Sequence, residues 1–323
     1  VDLLKSIQST STLHASSESG HFYTPRTLAG LCKLLEANPQ AALVAGATDV
    51  GLWVTKQHRR LETVIYLGAV EELKQIQDDG EYLSIGSTVT YTDAADDITT
   101  RYPAFLPLIQ RIGGTQVRNA GTIGGNIANG SPIGDMPPGL VALGAKLVLQ
   151  STRGQRVCDL EDYFISYGKQ DLHAGECLAQ VRLPVPPENQ LFATYKVSKR
   201  FEQDISAVCG AFAVQINDST INNARVCFGG MAETPKRAKA CEKALEGKPW
   251  NQETINQAMQ AMLKDFTPLT DMRASASYRT RVAQNLLQRF FLEQTAVPYP
   301  VRLDLPHTAL NQVSNRDKGG AGE

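Results

Sequence analysis

The chain lacks the patterns that mark several common classes of protein. No apolar run approaches the roughly twenty residues needed to cross a bilayer, and no secretory leader is recognisable, so we expect a soluble, cytoplasmic protein. Positive and negative side chains are nearly balanced, with 32 Lys and Arg against 33 Asp and Glu. This balance gives no electrostatic reason to expect a nucleic-acid or membrane partner.

Clustered metal ligands are missing as well. None of the six cysteines stands in a C-x-x-C spacing, and the five histidines form no H-E-x-x-H motif. Iron–sulfur and zinc sites usually need such clusters, so we expect no metal on this chain. Several cysteines have apolar neighbours, and we expect them to be small buried side chains.

The common nucleotide-binding motifs are also absent. The sequence contains neither G-x-G-x-x-G nor G-x-x-x-x-G-K-[ST], so Rossmann and P-loop folds lose their main support. The chain has instead two segments rich in glycine and small polar residues. They are LVAGATDVG at residues 43–51 and RNAGTIGGNIANGSPIGD at residues 118–135.

Both segments have the composition of an anion-binding loop. Successive backbone N–H groups in a tight turn form a concave site, and phosphate oxygens accept several short hydrogen bonds there. A dinucleotide cofactor carries two adjacent phosphates, so we expect both segments to fold around one diphosphate. Thr122, Asn126 and Ser131 add polar side chains, and Asp135 adds an acceptor suited to a ribose hydroxyl.

A proline-rich hinge at residues 184–190 divides the chain. Strand and helix signals alternate before it, and three strand signals followed by three helices come after it, so we expect an α+β protein. The predicted units are a linker or arm at 1–20, a first domain at 21–188 with subdomains of about 21–90 and 91–188, a C-terminal domain at 191–296, and a partly disordered tail at 297–323.

Local signals predict where some elements begin and turn. Thr24 is the expected N-cap of the first helix, with Pro25 as its first residue. Beyond the hinge, Asn217 and Asp218 predict a turn between two antiparallel strands. Asn251 is the expected cap of the second C-terminal helix.

Three motifs together resemble the FAD-binding domain of the molybdenum hydroxylase family. They are LVAGATDVG, GTQVRNAGTIGGNIANGSPIGD and CFGGMAETPKRA, and YKVSKRFEQDIS extends the match. The resemblance is strongest to the FAD-binding part of xanthine dehydrogenases. It implies a flavoprotein fold of the PCMH or vanillyl-alcohol-oxidase type, in which two α+β subdomains hold FAD and a C-terminal antiparallel sheet with helices packs beneath them.

The resemblance also implies a function. In this family FAD receives electrons from an iron–sulfur cluster, after a molybdenum centre has oxidised a purine, and passes a hydride to NAD+. The expected partners are therefore NAD, an iron–sulfur domain and a molybdopterin-binding subunit, joined in a hetero-oligomer. The alternatives are the FAD subunit of a carbon monoxide, aldehyde or nicotinate hydroxylase, and a stand-alone flavin reductase of the same fold.

By resemblance, seventeen positions are assigned to FAD binding. They are Leu43, Val44, Ala45, Gly46, Ala47, Thr48, Asp49 and Val50 in the first segment, Thr122, Ile123, Gly124, Gly125, Asn126 and Asp135 in the second, and Ile112, Leu178 and Lys196 elsewhere. Both segments should line the pyrophosphate and ribitol through backbone N–H groups. Leu178 should pack near the flavin, and Lys196 should approach it.

Two further expectations come from the resemblance. Ile112 stands where animal members of the family have a phenylalanine, so its contact is aliphatic rather than aromatic. The loop at 197–206 should border the isoalloxazine ring and the NAD site. No catalytic acid or base is assigned, because hydride transfer between flavin and nicotinamide needs none.

Overall fold

The computed structural model describes residues 11–295 of the chain. Its N-terminal sheet contains β1 (Leu13–Ser17), β2 (Gly20–Thr24), β3 (Ala42–Val44) and β4 (Thr63–Tyr66), in the order β1-β2-β4-β3. β1 and β2 form an antiparallel hairpin, whereas β2 and β3 run parallel to β4. Parallel neighbours need crossover connections, which helices α1 (Leu28–Ala37) and α2 (Val50–Thr55) supply.

The first helix begins three residues later than predicted. Thr27 is the N-cap of α1, and its hydroxyl accepts a hydrogen bond from the N–H of Gly30 at 3.1 Å. Thr24 belongs to β2, and Pro25 lies between that strand and the helix. The prediction of Thr24 as the cap is therefore wrong, because sheet pairing extends the strand through this residue.

The middle of the chain forms a second sheet of five antiparallel strands. They are β5 (Ile76–Asp78), β6 (Tyr82–Gly86), β7 (Lys146–Ser151), β8 (Gly154–Asp159) and β11 (Cys177–Pro184), in the order β5-β6-β11-β7-β8. Five helices link β6 to β7, namely α3 (Tyr91–Arg101), α4 (Leu106–Gln110), α5 (Thr115–Ala120), α6 (Ile123–Asn129) and α7 (Met136–Ala142). Helix α8 (Leu160–Tyr163) and the paired strands β9 (Phe164–Ser166) and β10 (Lys169–Gln170) follow β8.

This second sheet separates two hydrophobic cores. Along β7, Leu147 and Leu149 pack into the core that contains α3 to α7, whereas Val148 packs with Leu31 of α1 on the opposite face. The same alternation along β11 places Leu178 in the first of these cores and Ala179 in the second. The period of two in a strand thus joins the N-terminal and middle parts through one shared sheet.

The C-terminal part is a third sheet covered by helices. Its strands are β12 (Gln190–Val197), β13 (Val208–Asn217), β14 (Thr220–Gly229) and β15 (Lys236–Arg237), all antiparallel and paired in chain order. Its helices are α9 (Lys239–Leu245), α10 (Gln252–Ala261) and α11 (Ala276–Gln294). Single 3-10 turns occur at Glu71–Lys74, Pro103–Phe105 and Met262–Lys264.

Both local predictions for the C-terminal part are confirmed. β13 and β14 form a hairpin whose last pair is Asn217 and Thr220, and the turn residues Asp218 and Ser219 have φ of 48° and 61°. Asn251 caps α10, because its side chain accepts a hydrogen bond from the backbone N–H of Thr254 at 2.9 Å. Asp and Asn tolerate these conformations better than most residues.

The α+β class is confirmed, but two predicted boundaries are wrong. Residues 13–20 form β1 and the turn into β2, so they are not a linker. β5 and β6 pair within the second sheet, so the first subdomain ends before residue 76 and not near residue 90. Both errors concern strand pairing. The first involves a local hairpin, and the second involves the pairing of β6 with β11, which is distant in sequence. The predicted tail at 297–323 lies outside the described residues.

Two expectations from composition can be checked in the structure. All six cysteines are free thiols and five of them are buried, which confirms that they behave as small apolar side chains. Burial raises the pKa of Cys158 to about 11. Among residues 11–295, no helix combines the length and the apolar character that crossing a membrane requires.

Candidate functional site

The first glycine-rich segment leaves its backbone donors free. It begins where β3 ends, and Ala47 adopts the left-handed conformation with φ of 57°. Within residues 11–295, the N–H groups of residues 46–49 donate to no acceptor, and Ala47 and Thr48 are exposed. Alternating right- and left-handed residues turn successive N–H groups toward one point. The segment therefore has the geometry of an anion-binding turn.

The acidic side chain in this segment does not occupy the turn. The carboxylate of Asp49 accepts a hydrogen bond from the indole Nε1 of Trp53 at 3.1 Å, one turn along α2. The carbonyl of Ala47 accepts from the N–H of Gly51 at 2.8 Å, which fixes the start of the helix. Both contacts orient acceptors toward α2 and leave the donors of the turn available.

Residues 123–129 of the second segment form helix α6 rather than a loop, which corrects the prediction for this part of the segment. Thr122 caps α6, and its hydroxyl accepts from the N–H of Gly125 at 3.0 Å. The N–H groups of Ile123 and Gly124 donate to the carbonyls of Val89 and Ser87 at 3.0 and 3.1 Å. The N–H of residue 126 donates to the carbonyl of Thr122 at 3.0 Å. All four donors of residues 123–126 are thus engaged by acceptors of the protein, and the assignment of these residues to the diphosphate stays a prediction.

The two segments nevertheless touch each other. A Cβ atom added to Gly46 would lie 1.6 Å from the carbonyl oxygen of Ala120, so only glycine permits this approach. A Cβ atom added to Gly121 would lie 3.4 Å from Oγ1 of Thr48. The prediction that both segments belong to one site is consistent with these contacts, which join the first turn to the residues just before α6.

The residues that follow β6, beginning with Ser87, pack against the second segment and connect it to β11. A Cβ atom on Gly124 would lie 2.4 Å from Cβ of Ser87, so the two backbones are in close contact. The N–H of Ser87 donates to the carbonyl of Ala179 at 2.9 Å. The neighbouring Leu178 is buried in the core, as is Ile112. Both predicted flavin contacts therefore belong to the hydrophobic core that contains α3 to α7, and their contact with the flavin stays a prediction.

Asp135 and Lys196 form a buried ion pair with each other. Nζ of Lys196 lies 2.5 Å from Oδ2 of Asp135, and the two side chains are 2% and 11% exposed. Oγ of Ser206 donates to the other carboxylate oxygen of Asp135 at 2.5 Å. Both oxygens of Asp135 are thus engaged by protein donors, so the prediction of Asp135 as a ribose acceptor is not supported by its contacts.

Arg111 holds the loop at 197–206 and was not predicted. Its guanidinium donates to the carbonyl of Lys196 at 2.7 Å, to Oγ of Ser198 at 3.1 Å and to the carbonyl of Phe201 at 3.1 Å. It also lies 4.7 Å from the centre of the Phe201 ring. Within the loop, the backbone N–H of Arg200 donates to Asp204 and lowers the pKa of that carboxyl.

Three buried polar atoms around the second segment have no hydrogen-bond partner. They are Oγ of Ser87, the hydroxyl of Tyr91 and Oδ1 of Asn126. Burial, reinforced by the charge of Asp135, raises the pKa of Tyr91 well above its usual value, so the phenol is a neutral donor. Sequence reasoning missed Ser87 and Tyr91, although IGSTVTY at 85–91 carries small and polar residues directly after a strand.

The free donors of this site fit a phosphate-bearing cofactor. Residues 46–49 offer free N–H groups of the kind that bind phosphate oxygens. Leu178 and Ile112 of the hydrophobic core are the apolar residues predicted to lie near its aromatic ring.

Comparison with known proteins agrees with this reading of the site. Residues 15–186 match the family described as FAD binding domain in molybdopterin dehydrogenase. The chain belongs to this family of FAD-binding domains. FAD is accordingly its cofactor. Residues 193–294 match the CO dehydrogenase flavoprotein C-terminal domain, so two families cover both sides of the proline-rich hinge.

Individual relatives give the same assignment. The chain is 31% identical over 280 residues to the xanthine dehydrogenase FAD-binding subunit of Escherichia coli O157:H7, covering 85% of this chain and 96% of the relative. It is 30% identical to nicotinate hydroxylase hnxS of Emericella nidulans, covering 83% of this chain but 22% of that longer protein. Carbon monoxide dehydrogenase from Hydrogenophaga pseudoflava shares the fold with a TM-score of 0.78 and 26% identity, covering 83% of this chain and 94% of that one.

Proposed function

We propose that this chain is the FAD-binding, electron-transferring part of a molybdenum hydroxylase of the xanthine dehydrogenase type. The observation that carries the proposal is the turn at residues 46–49, whose backbone N–H groups are free and which packs against residues 120–121. When bound, FAD supplies the two-electron chemistry that connects an iron–sulfur partner to NAD+. The chain itself supplies binding, orientation and exclusion of water.

Each part of the site has a separate task in this proposal. The N–H groups of residues 46–49 bind the diphosphate, and the close contact between Gly46 and Ala120 sets the width of the cleft. Thr122, Gly124 and Gly125 shape the opposite side through α6 rather than through free donors. Leu178 and Ile112 support the ring from the core, and Lys196 positions the adjoining loop through its ion pair with Asp135.

The proposal assigns the remaining chemistry to partners. An iron–sulfur domain and a molybdopterin-binding subunit deliver electrons, and NAD+ removes them as a hydride at the loop of residues 197–206. A hetero-oligomer located in the cytoplasm, in which the molybdenum centre acts on a purine, would meet these needs. The xanthine dehydrogenase FAD-binding subunit among its relatives supports this choice of substrate class.

A second candidate is the FAD part of a nicotinate hydroxylase. It is favoured by the 30% identity to the nicotinate hydroxylase of Emericella nidulans, which is only slightly below that of the xanthine dehydrogenase subunit. The flavin site gives no reason to prefer one substrate, because both candidates place substrate oxidation on a partner domain or subunit. The two candidates therefore differ in their partners and share the FAD site described above.

The test begins with the visible absorbance spectrum of the purified full-length chain. We expect a flavin spectrum that bleaches when NADH is added without oxygen. A colourless chain that takes up no added FAD would contradict the proposed role in FAD binding. A yellow chain whose flavin stays oxidised after NADH is added would contradict the proposed hydride transfer between FAD and NAD. Purification with its partner subunits, followed by reduction with xanthine or nicotinate, then separates the two candidates.

A further inference from the structure

Helix α2 is an apolar helix that buries none of its side chains. Its sequence is VGLWVT, in which Thr55 carries the one polar side chain apart from the indole N–H. Leu52 is 46% exposed and Val54 is 48% exposed. No residue of α2 belongs to the hydrophobic cores that form within residues 11–295. Surface helices normally turn an apolar stripe toward a core, so these side chains lack the cover that their composition requires.

The residues that follow α2 add positive charge beside this apolar surface. Residues 50–60 contain Lys56, Arg59 and Arg60, all of them exposed, and no acidic residue, although the whole chain has a net charge of -1. The guanidinium of Arg59 lies 4.3 Å from the centre of the Trp53 ring, and the backbone N–H of Arg59 donates to the carbonyl of Trp53 at 2.9 Å. A cation held on an aromatic ring is pre-organised for binding, and Arg and Trp are enriched among the residues that dominate protein interfaces.

Helix α2 is joined directly to the turn that has free donors. It begins at Val50, immediately after the free N–H groups of residues 46–49. The carboxylate of Asp49 accepts from Nε1 of Trp53, which links the end of the turn to the middle of the helix. A protein that binds to α2 therefore lies beside the cleft proposed for FAD. A partner that delivers electrons to FAD has to dock close to this cleft.

We propose that α2 and residues 56–60 form the docking surface for the iron–sulfur partner, through a face of that partner in which acidic side chains border an apolar patch. The inference rests on the proposed function, because the partner follows from the electron transfer assigned to this chain. Exposed apolar side chains bordered by polar ones mark protein interfaces. The three cations select a partner face of negative charge, because complementary charge favours association.

The test measures association of the FAD-loaded full chain with the separately purified iron–sulfur partner, which its cluster absorbance identifies. Isothermal titration calorimetry gives the Kd, and the flavin absorbance of each variant gives its FAD content. Val54→Glu places a charge in the apolar surface, and Val157→Glu on β8 is its control, because Val157 is 46% exposed. Arg59→Glu reverses one of the cations, and Lys243→Glu, at an exposed position of α9, is the control for that change.

We expect Val54→Glu and Arg59→Glu each to raise the Kd for the partner at least about tenfold, because both changes fall within the interface. Their FAD content should equal that of the wild type, and both control variants should bind the partner normally. For Arg59→Glu the Kd should also depend less on salt concentration, because an attraction between opposite charges is lost.

Equal affinity of Val54→Glu, Arg59→Glu and the wild type for the partner would overturn the docking surface and leave the proposed function standing. Loss of FAD from Val54→Glu would also overturn it, because α2 would then act by supporting the cofactor turn. A wild-type dimer, seen by light scattering and broken by Val54→Glu, would assign the surface to a second copy of the chain. Wild-type binding to phosphatidylglycerol vesicles, abolished by Val54→Glu, would assign it to a lipid surface. A wild-type chain that binds no iron–sulfur partner would overturn the proposed function together with the surface.

Discussion

The two glycine-rich segments look alike in sequence but use their glycines differently. In the first, residues 46–49 keep their N–H groups free and Gly46 touches the backbone of Ala120. In the second, every N–H of residues 123–126 is engaged, and Gly124 touches the backbone of Ser87. The first segment thus offers free donors to a ligand, whereas the donors and glycines of the second hold elements of the protein together.

This difference shows that glycine content alone does not locate an anion site. Absence of a Cβ atom permits the approach of any partner, whether phosphate or protein backbone. A segment that can bind phosphate is distinguished from one that packs on backbone by its number of free N–H groups. That number depends on whether carbonyl groups of other segments lie close enough to accept from them. The following predictions test whether the first segment acts on the cofactor and the second acts through the fold.

The largest effect is expected for Gly46→Ala. The new Cβ would overlap the carbonyl oxygen of Ala120, so the two segments would have to separate and the diphosphate would lose its donors. We expect the Kd for FAD to rise about a thousandfold, or about 4 kcal/mol. Gly51→Ala is the control, because nothing lies within 4 Å of its added Cβ. Purification of Gly46→Ala with a full complement of flavin would contradict the assignment.

A smaller but still large effect is expected for Lys196→Met. Removing the amine leaves the carboxylate of Asp135 buried with Ser206 as its remaining side-chain partner. Breaking one side of a buried ion pair costs about 3 kcal/mol, so chemical denaturation of the FAD-free form should show this loss. Lys199→Met, in the exposed part of the same loop, should be nearly neutral. If only FAD affinity falls and the free protein keeps its stability, Lys196 contacts the cofactor directly.

Two adjacent glycines of α6 test whether the second segment acts through its packing on Ser87. A Cβ on Gly124 would meet Cβ of Ser87 at 2.4 Å, whereas a Cβ on Gly125 meets only the hydroxyl of Thr122 closely, at 2.7 Å. We expect Gly124→Ala to destabilise the FAD-free protein by about 2 kcal/mol and Gly125→Ala by less than about half of that. Equal losses in a denaturation experiment would contradict the packing role of Gly124.

The smallest effect is expected for Thr122→Ala. The substitution removes the cap of α6 and frees the N–H of Gly125, which should lower stability by about 1 kcal/mol. Thr122→Ser keeps the hydroxyl and should keep the stability. Because the segment acts through the fold, the Kd for FAD should change less than about threefold. A large loss of FAD affinity without loss of stability would assign Thr122 to the cofactor instead.

Local chemistry was sufficient to predict several features of the fold. The hairpin turn near Asp218 and the cap Asn251 depend on residues a few positions apart, and both are confirmed. The helix cap near residue 24 was misplaced because Thr24 and Thr27 carry the same cap signal. Only the pairing of Thr24 with Leu13 of β1 decides between them, and that pairing lies outside the helix signal itself.

The site was harder to predict because its contacts are long-range. Asp135 and Lys196 are separated by 61 positions, and nothing near either residue reveals their ion pair. The glycines at 124 and 125 argue against a helix, yet the cap Thr122 and the close packing on Ser87 produce one.

Strand β13 carries alternate side chains into two different cores. Cys209, Ala211 and Ala213 face the helices of the middle sheet, whereas Phe212 and Val214 face the C-terminal helices. The family boundary between residues 186 and 193 is therefore a boundary in sequence and not a seam in the folded chain. Cutting the polypeptide there would expose apolar surface on both halves, so we expect each piece alone to aggregate. The intact chain should unfold in one cooperative thermal transition.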